Sequence, residues 1–137
     1  MTDKRARAID YAWKFVGTPY EWGGENPFGM DCSGFISEVL QAVGVLPRGA
    51  RLTAQTLYDR FKIKGSAAPA AGLLVFYGAS VLEITHVELL IDDEHTLGAS
   101  GGGSSVVDLK TADAANAFVK LRPMMLRNLV AIVDPFA

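Results

Sequence analysis

Cys32 is the chain's only cysteine, and Asp31-Cys32-Ser33-Gly34-Phe35 sets it at the start of a helix. The preceding residues, 23–29, are too rich in glycine and proline for regular structure. The following residues, 35–43, repeat their apolar side chains with helical period and stop at Gly44. Cys32 therefore falls in or near a first helical turn, with Asp31 placed as its cap. Unpaired N–H groups and the positive end of the helix dipole favour a thiolate there, the form that attacks a carbonyl carbon. A sulfur nucleophile needs a base, usually histidine. The chain offers two: His86 in mid-strand, and His95 at a turn, where a solvated polar residue is the stronger reading. Alone, such a pair says little, because free cysteine is more often a small buried hydrophobe.

These residues need a scaffold to bring them together. Ile9, Ala12, Trp13 and Val16 share one helical face, with Asp3 as cap and Gly17 beyond the end. A second helix runs from Cys32 and a shorter third over 53–61. After Pro69 the character changes: 73–77 is an apolar run with strand propensity. Residues 84–91 alternate, with Ile84, His86, Glu88 and Leu90 on one face and Thr85, Val87, Leu89 and Ile91 on the other. A turn at 92–94 returns the chain antiparallel through 95–100, and further strands fit 104–109 and 128–133. Helices first and strands after predict an α+β fold with an antiparallel sheet. The 137 residues suit one domain, 1–137, without repeat or linker.

Three segments in order, Thr18-Pro19-Tyr20-Glu21-Trp22-Gly23-Gly24, Met30-Asp31-Cys32-Ser33-Gly34-Phe35 and Thr85-His86-Val87, resemble the NlpC/P60 family of papain-like cysteine peptidases. Arg51-Leu52-Thr53-Ala54-Gln55 and the strand Leu74-Val75-Phe76-Tyr77 fit the same pattern, and the resemblance spans roughly residues 5 to 100. It implies N-terminal helices packed on a central antiparallel sheet. It also implies cleavage of peptide bonds in bacterial cell-wall stems, often between D-glutamate and the following diamino acid. Cys32 would be the nucleophile and His86 the general base. Tyr20, with the Cys32 backbone N–H, would stabilise the oxyanion. Asp31 and Ser33 match positions that hold the free amine of the stem peptide; Trp22 fits a groove floor or packing on the first helix equally well.

One position departs from the family pattern. The polar third residue that orients the imidazole, often histidine, falls at Gly98, which has no side chain for the task. Glu88 shares a face with His86, but a two-residue separation of about 6.5–7 Å along a strand is long for direct contact. His95 serves only if the hairpin register differs. A lesser departure is Leu73, where the family often has aspartate.

The formal net charge of −2 and the absence of a Lys/Arg run argue against nucleic acid or an anionic membrane surface as partner. No stretch approaches the ~20 apolar residues of a membrane span. A lone cysteine allows no internal disulfide, and two scattered histidines give no zinc spacing. No cofactor or metal is expected. Gly101-Gly102-Gly103 reads as a loop, and Arg48, Arg51 and Arg60 as a solvated helix face. The N-terminus has no signal-peptide pattern, so synthesis and retention in the cytoplasm is the expectation. The ending is similar to phage or prophage members, for which lysis or a tail particle would supply delivery and partners. Three functions stay open: a cysteine endopeptidase on peptidoglycan stem peptides, an inactive binding or structural module favoured by Gly98, and acyl chemistry on another substrate.

Overall fold

A computed structural model describes residues 3–18, 25–26, 29–64, 67–100 and 118–136. Helix α1 (Asp3–Trp13) buries Ala8 and Ala12, and the turn after it buries Phe15. Trp13 and Val16, expected on the core face, are exposed. The helix ends at Trp13, and the turn carries Phe15 inward to pack edge-on against Tyr11 and Phe35, with centroids 5.0 and 6.1 Å away. The loop before Cys32 holds a small antiparallel ladder, β1 (Glu25–Asn26) with β2 (Gly29–Met30), where irregular chain was expected.

Helix α2 (Cys32–Ala42) begins where Asp31, with extended backbone, accepts the Gly34 N–H at 2.6 Å. It ends at Val43 and Gly44, whose φ of +79° suits glycine. Phe35, Ile36, Val39 and Leu40 form its buried stripe. Helix α3 (Ala54–Phe61) opens on a capping box: Thr53 Oγ1 accepts the Thr56 N–H, and Thr56 Oγ1 accepts the Thr53 N–H.

Five strands follow: β3 (Leu74–Ser80), β4 (Glu83–Leu90), β5 (His95–Ser100), β6 (Phe118–Pro123) and β7 (Leu129–Val133). They form one antiparallel sheet in the order β6-β5-β4-β3-β7, so the architecture is α+β as expected. The sequence did not announce β6, and the strand expected at 104–109 lies outside the described residues. One sheet face meets the helices through Leu74, Phe76, Val87, Leu89, Leu97 and Ala131. Leu73, Val75, Tyr77, Leu90 and Ile132 form a second, smaller core.

Strand β4 does not alternate throughout. Tyr77 pairs with His86 but Gly78 pairs with Ile84, so Thr85 is an extra, bulged residue. Ile84 consequently joins the helix-side core with Val87 and Leu89, not the face of Glu88 and Leu90. Gly78 permits this close approach, since a Cβ there would sit 2.1 Å from the Glu83 carbonyl oxygen. The bulge re-aims the chain immediately before His86.

Candidate active site

Three polar tethers position the Cys32 side of the site. Gln41 on α2 donates to the Ala50 carbonyl (2.6 Å) and accepts the Gly49 N–H (2.8 Å), while Ser37 Oγ accepts the Leu52 N–H at 3.4 Å. These bonds lay residues 49–52 along α2 and bring Arg51 to its N-terminus. Arg51 Nη2 then pairs with Asp31 Oδ2 at 2.8 Å, and Nη1 reaches Ser33 Oγ at 3.3 Å. The reading of Arg51 as part of a solvated helix face is therefore corrected: Arg48 and Arg60 are exposed, but Arg51 is clamped beside Cys32. Asp31 does two jobs with separate oxygens, capping α2 through Oδ1 and binding the guanidinium through Oδ2. Ser33 is buried next to it.

Gln55 of α3 positions the other side. Its Oε1 accepts the Ile84 N–H at 2.8 Å and its Nε2 donates to the Val81 carbonyl at 3.0 Å, which fixes the start of β4. Past the Thr85 bulge, the His86 ring stands near enough to Cys32 for the sulfur to favour its charged form. Its Nε2 lies 2.6 Å from Glu88 Oε2, so Nδ1 is the ring nitrogen left for sulfur. The Tyr77 ring stands 5.8 Å away, its hydroxyl committed to the Met125 carbonyl at 3.0 Å. Burial first, then the Glu88 charge, push the Tyr77 phenol up to about 12, so it stays neutral.

Contact between His86 and Glu88 corrects the expectation that their strand separation is too long. That distance is measured along the backbone, whereas the glutamate side chain is long enough to fold back to the ring. Glu88 Oε1 accepts Thr96 Oγ1–H at 2.6 Å and Arg122 Nε–H at 3.1 Å, and Arg122 Nη2 bonds Oε2. The carboxylate side chain is 1% exposed. Burial opposes its charge, yet the bonds from His86 and Arg122 outweigh that and hold Glu88 down at about 2. Burial likewise opposes a charged His86, but Cys32 and Glu88 together raise the ring to about 9. The imidazolium is the form held near neutral pH.

Cys32 is only 8% exposed, and it still lines a cleft of about 310 Å³ with Asp31, Ser33, Arg51, Gln55 and Thr85. His86 lines a second cleft of about 380 Å³ with Tyr77, Thr85, Met125, Arg127 and Asn128. Thr85 borders both, so the hollow beside Cys32 and the hollow beside His86 meet at the residue before the histidine. A larger hollow of about 640 Å³, between Lys4, Gly44, Phe61 and Phe136, shares no residue with either. Among the described residues, no group of three His, Cys, Asp or Glu side chains could hold a metal ion. No described helix is long and apolar enough to cross a membrane.

A profile of the NlpC/P60 family matches residues 17–122. The chain belongs to the NlpC/P60 family. The bifunctional muramidase/DL-endopeptidase CwlT of Bacillus subtilis is 36% identical over 104 residues, covering 73% of this chain and 30% of that protein. Among NlpC/P60 structures, the peptidoglycan hydrolase RipB of Mycobacterium tuberculosis superposes with a TM-score of 0.68 at 24% identity, over 96% of this chain and 63% of RipB. RipD of the same organism, a non-catalytic NlpC/p60 domain protein adapted to peptidoglycan binding, gives 0.68 at 17% identity, over 97% of this chain and 98% of RipD. The two superpositions speak to the fold alone. The chain spans about a third or less of the length of the curated relatives it matches.

Of the residues that the NlpC/P60 pattern singles out, the structure brings Asp31, Cys32, Ser33 and His86 together. Tyr20 and Trp22 lie outside the described residues. Gly98 lies beside Glu88, and His95 stays at the β4–β5 turn with Nδ1 3.1 Å from Asp92 Oδ2. Sequence reasoning missed Arg122 and Thr96. Their link to Glu88 depends on the pairing of β5 with β6, which sets Thr96 opposite Arg122 and which no sequence signal announced.

Proposed function

We propose that this NlpC/P60 chain is a cysteine peptidase hydrolysing an amide bond in bacterial cell-wall stem peptides, at a D-glutamyl–diamino acid junction. The observation that carries the reading is Cys32 at a helix start, close enough to His86 to favour the charged ring, with a cleft on either side. Relatives named as peptidoglycan endopeptidases, such as CwlT, support the substrate class.

In this reading His86 holds the thiol's proton and Cys32 attacks the scissile carbonyl carbon as thiolate. The tetrahedral oxyanion is stabilised by the Cys32 backbone N–H and the Tyr20 hydroxyl. As the C–N bond breaks, the imidazolium gives its proton to the leaving amine, and a thioester remains on Cys32. Neutral His86 then takes a proton from water, which attacks the thioester and releases the acid. The stem peptide's free amine lies against Asp31 and Ser33, in the cleft on the Cys32 side.

Digestion of purified muropeptides with mass readout tests this. Wild type cleaves and Cys32→Ala does not; cleavage by both, or by neither, overturns the peptidase reading. The likeness to RipD motivates a second reading, a module that binds stem peptide without cutting it. Its mark is equal retention of wild type and Cys32→Ala on peptidoglycan with no new fragments.

A further inference from the structure

We propose that Glu88 is the positioning residue for the His86 imidazole, occupying from His86's own strand the space that Gly98 leaves on the neighbouring one. The inference rests on the peptidase reading above and names the group that aligns its base.

Two independent geometric facts carry it. First, the carboxylate is held from three sides. Oε2 is 2.6 Å from His86 Nε2, Oε1 accepts from Thr96 and Arg122 Nε, and Arg122 Nη2 closes the fork. A group so fixed also fixes what bonds to it, and a carboxylate on Nε2 keeps a proton there and leaves Nδ1 facing sulfur. Second, positions 88 and 98 exclude each other sterically. A Cβ built on Gly98 would stand 2.6 Å from Glu88 Cγ and 2.8 Å from Cδ, closer than side chains pack. Glu88 cannot yield, because its oxygens are tied to β4, β5 and β6. Glycine at 98 is therefore a condition of this glutamate conformation. The groups that face the ring are Cys32 from α2, Tyr77 from β3 and Glu88 from β4, with Arg122 of β6 acting through Glu88.

A purely structural Glu88–Arg122 pair is the competing account, and readouts on the ring and the thiol separate the two. Labelled-histidine NMR follows His86, with His95 as internal reference. In Glu88→Gln the His86 titration midpoint falls by at least one pH unit. Iodoacetamide alkylation of Cys32 loses its wild-type pH profile. Unchanged midpoint and profile overturn the proposal. Glu88→Gly removes the partner, and adding Gly98→His to it restores the alkylation profile; failure of that rescue in a folded protein also overturns it. Should the variants not fold, wild type decides: a carboxylate-bonded Nε2–H gives a slowly exchanging downfield imidazole proton that His86→Ala abolishes. Absence of that proton in wild type counts against Glu88. None of these measurements needs substrate, so a protein that cleaves no muropeptide yet passes them rejects the peptidase reading alone. Where cleavage is seen, Glu88→Gln lowers kcat by about a hundredfold or more with KM little changed.

Discussion

The charge on Glu88 makes a stability prediction whose size follows from its surroundings. Burial alone would raise this carboxyl's pKa, yet its partners hold it at about 2 against an ordinary 4.5. A carboxylate depressed on folding contributes stability that is fully present above its unfolded value. That contribution is lost as pH falls through the folded value. Between 4.5 and about 2, at about 1.4 kcal/mol per pH unit, it amounts to about 3 kcal/mol. In a domain of this length that corresponds to about 10 °C in Tm.

The chain has 15 Asp and Glu residues, so the acid limb of wild type alone mixes many titrations. The difference between wild type and Glu88→Gln isolates one. At pH 6 the variant is the less stable, because Arg122 and His86 lose their shared counter-charge in a buried setting. Toward pH 2 wild type loses that charge too, and the gap narrows by about 3 kcal/mol. Urea unfolding followed by circular dichroism, in half-unit steps from pH 6 to pH 2, measures it. A gap that stays constant over this range refutes the reasoning, since Glu88 would then not be held ionised by its neighbours.

Three further outcomes follow from the same geometry. Asp31→Ala removes the α2 cap and the Asp31 carboxylate that pairs with Arg51, costing about 2 kcal/mol in urea unfolding, whereas Asp31→Asn keeps the cap and costs less. Phe35→Ala empties a fully buried site against Phe15 and costs about 3–5 kcal/mol by the same assay. His86→Ala slows alkylation of Cys32 by iodoacetamide at pH 7, read by intact mass; an unchanged rate would show that the ring does not assist the sulfur.

Local rules in the sequence reached far into this site. Asp31 before an apolar helical run announced a cap, and the alternation after Pro69 announced the antiparallel sheet. Both signals are short-range, set by side chains within a few residues. What stayed hidden depends on chain paths that no short window contains. The Thr85 bulge arises from the mismatch between Gly78–Ile84 and Tyr77–His86 pairing, and it moved Ile84 to the opposite face from the one its spacing implied. Arg51 was read as solvated because nothing nearby in sequence showed Gln41 and Ser37 drawing its segment onto α2. Phe15 displaced Trp13 and Val16 from the core because its partners, Tyr11 and Phe35, come from two helices.

Gly98 shows most clearly how reading one position at a time misleads. Taken singly, a glycine where the family pattern expects a polar partner for histidine reads as a loss, and it favoured an inactive module. In register, Leu89 pairs with Leu97 and Leu90 with Thr96, so the next step sets Gly98 beside Glu88. The missing side chain and the buried glutamate are then one feature. A charged side chain with 1% exposure is costly unless paired, and Glu88 spends its two oxygens on His86, Thr96 and Arg122. One of those oxygens lies on the imidazole nitrogen that a third residue would otherwise orient. With a carboxylate already on Nε2, Gly98 alone no longer argues for inactivity, and the approach of Cys32 to His86 is the feature to be tested.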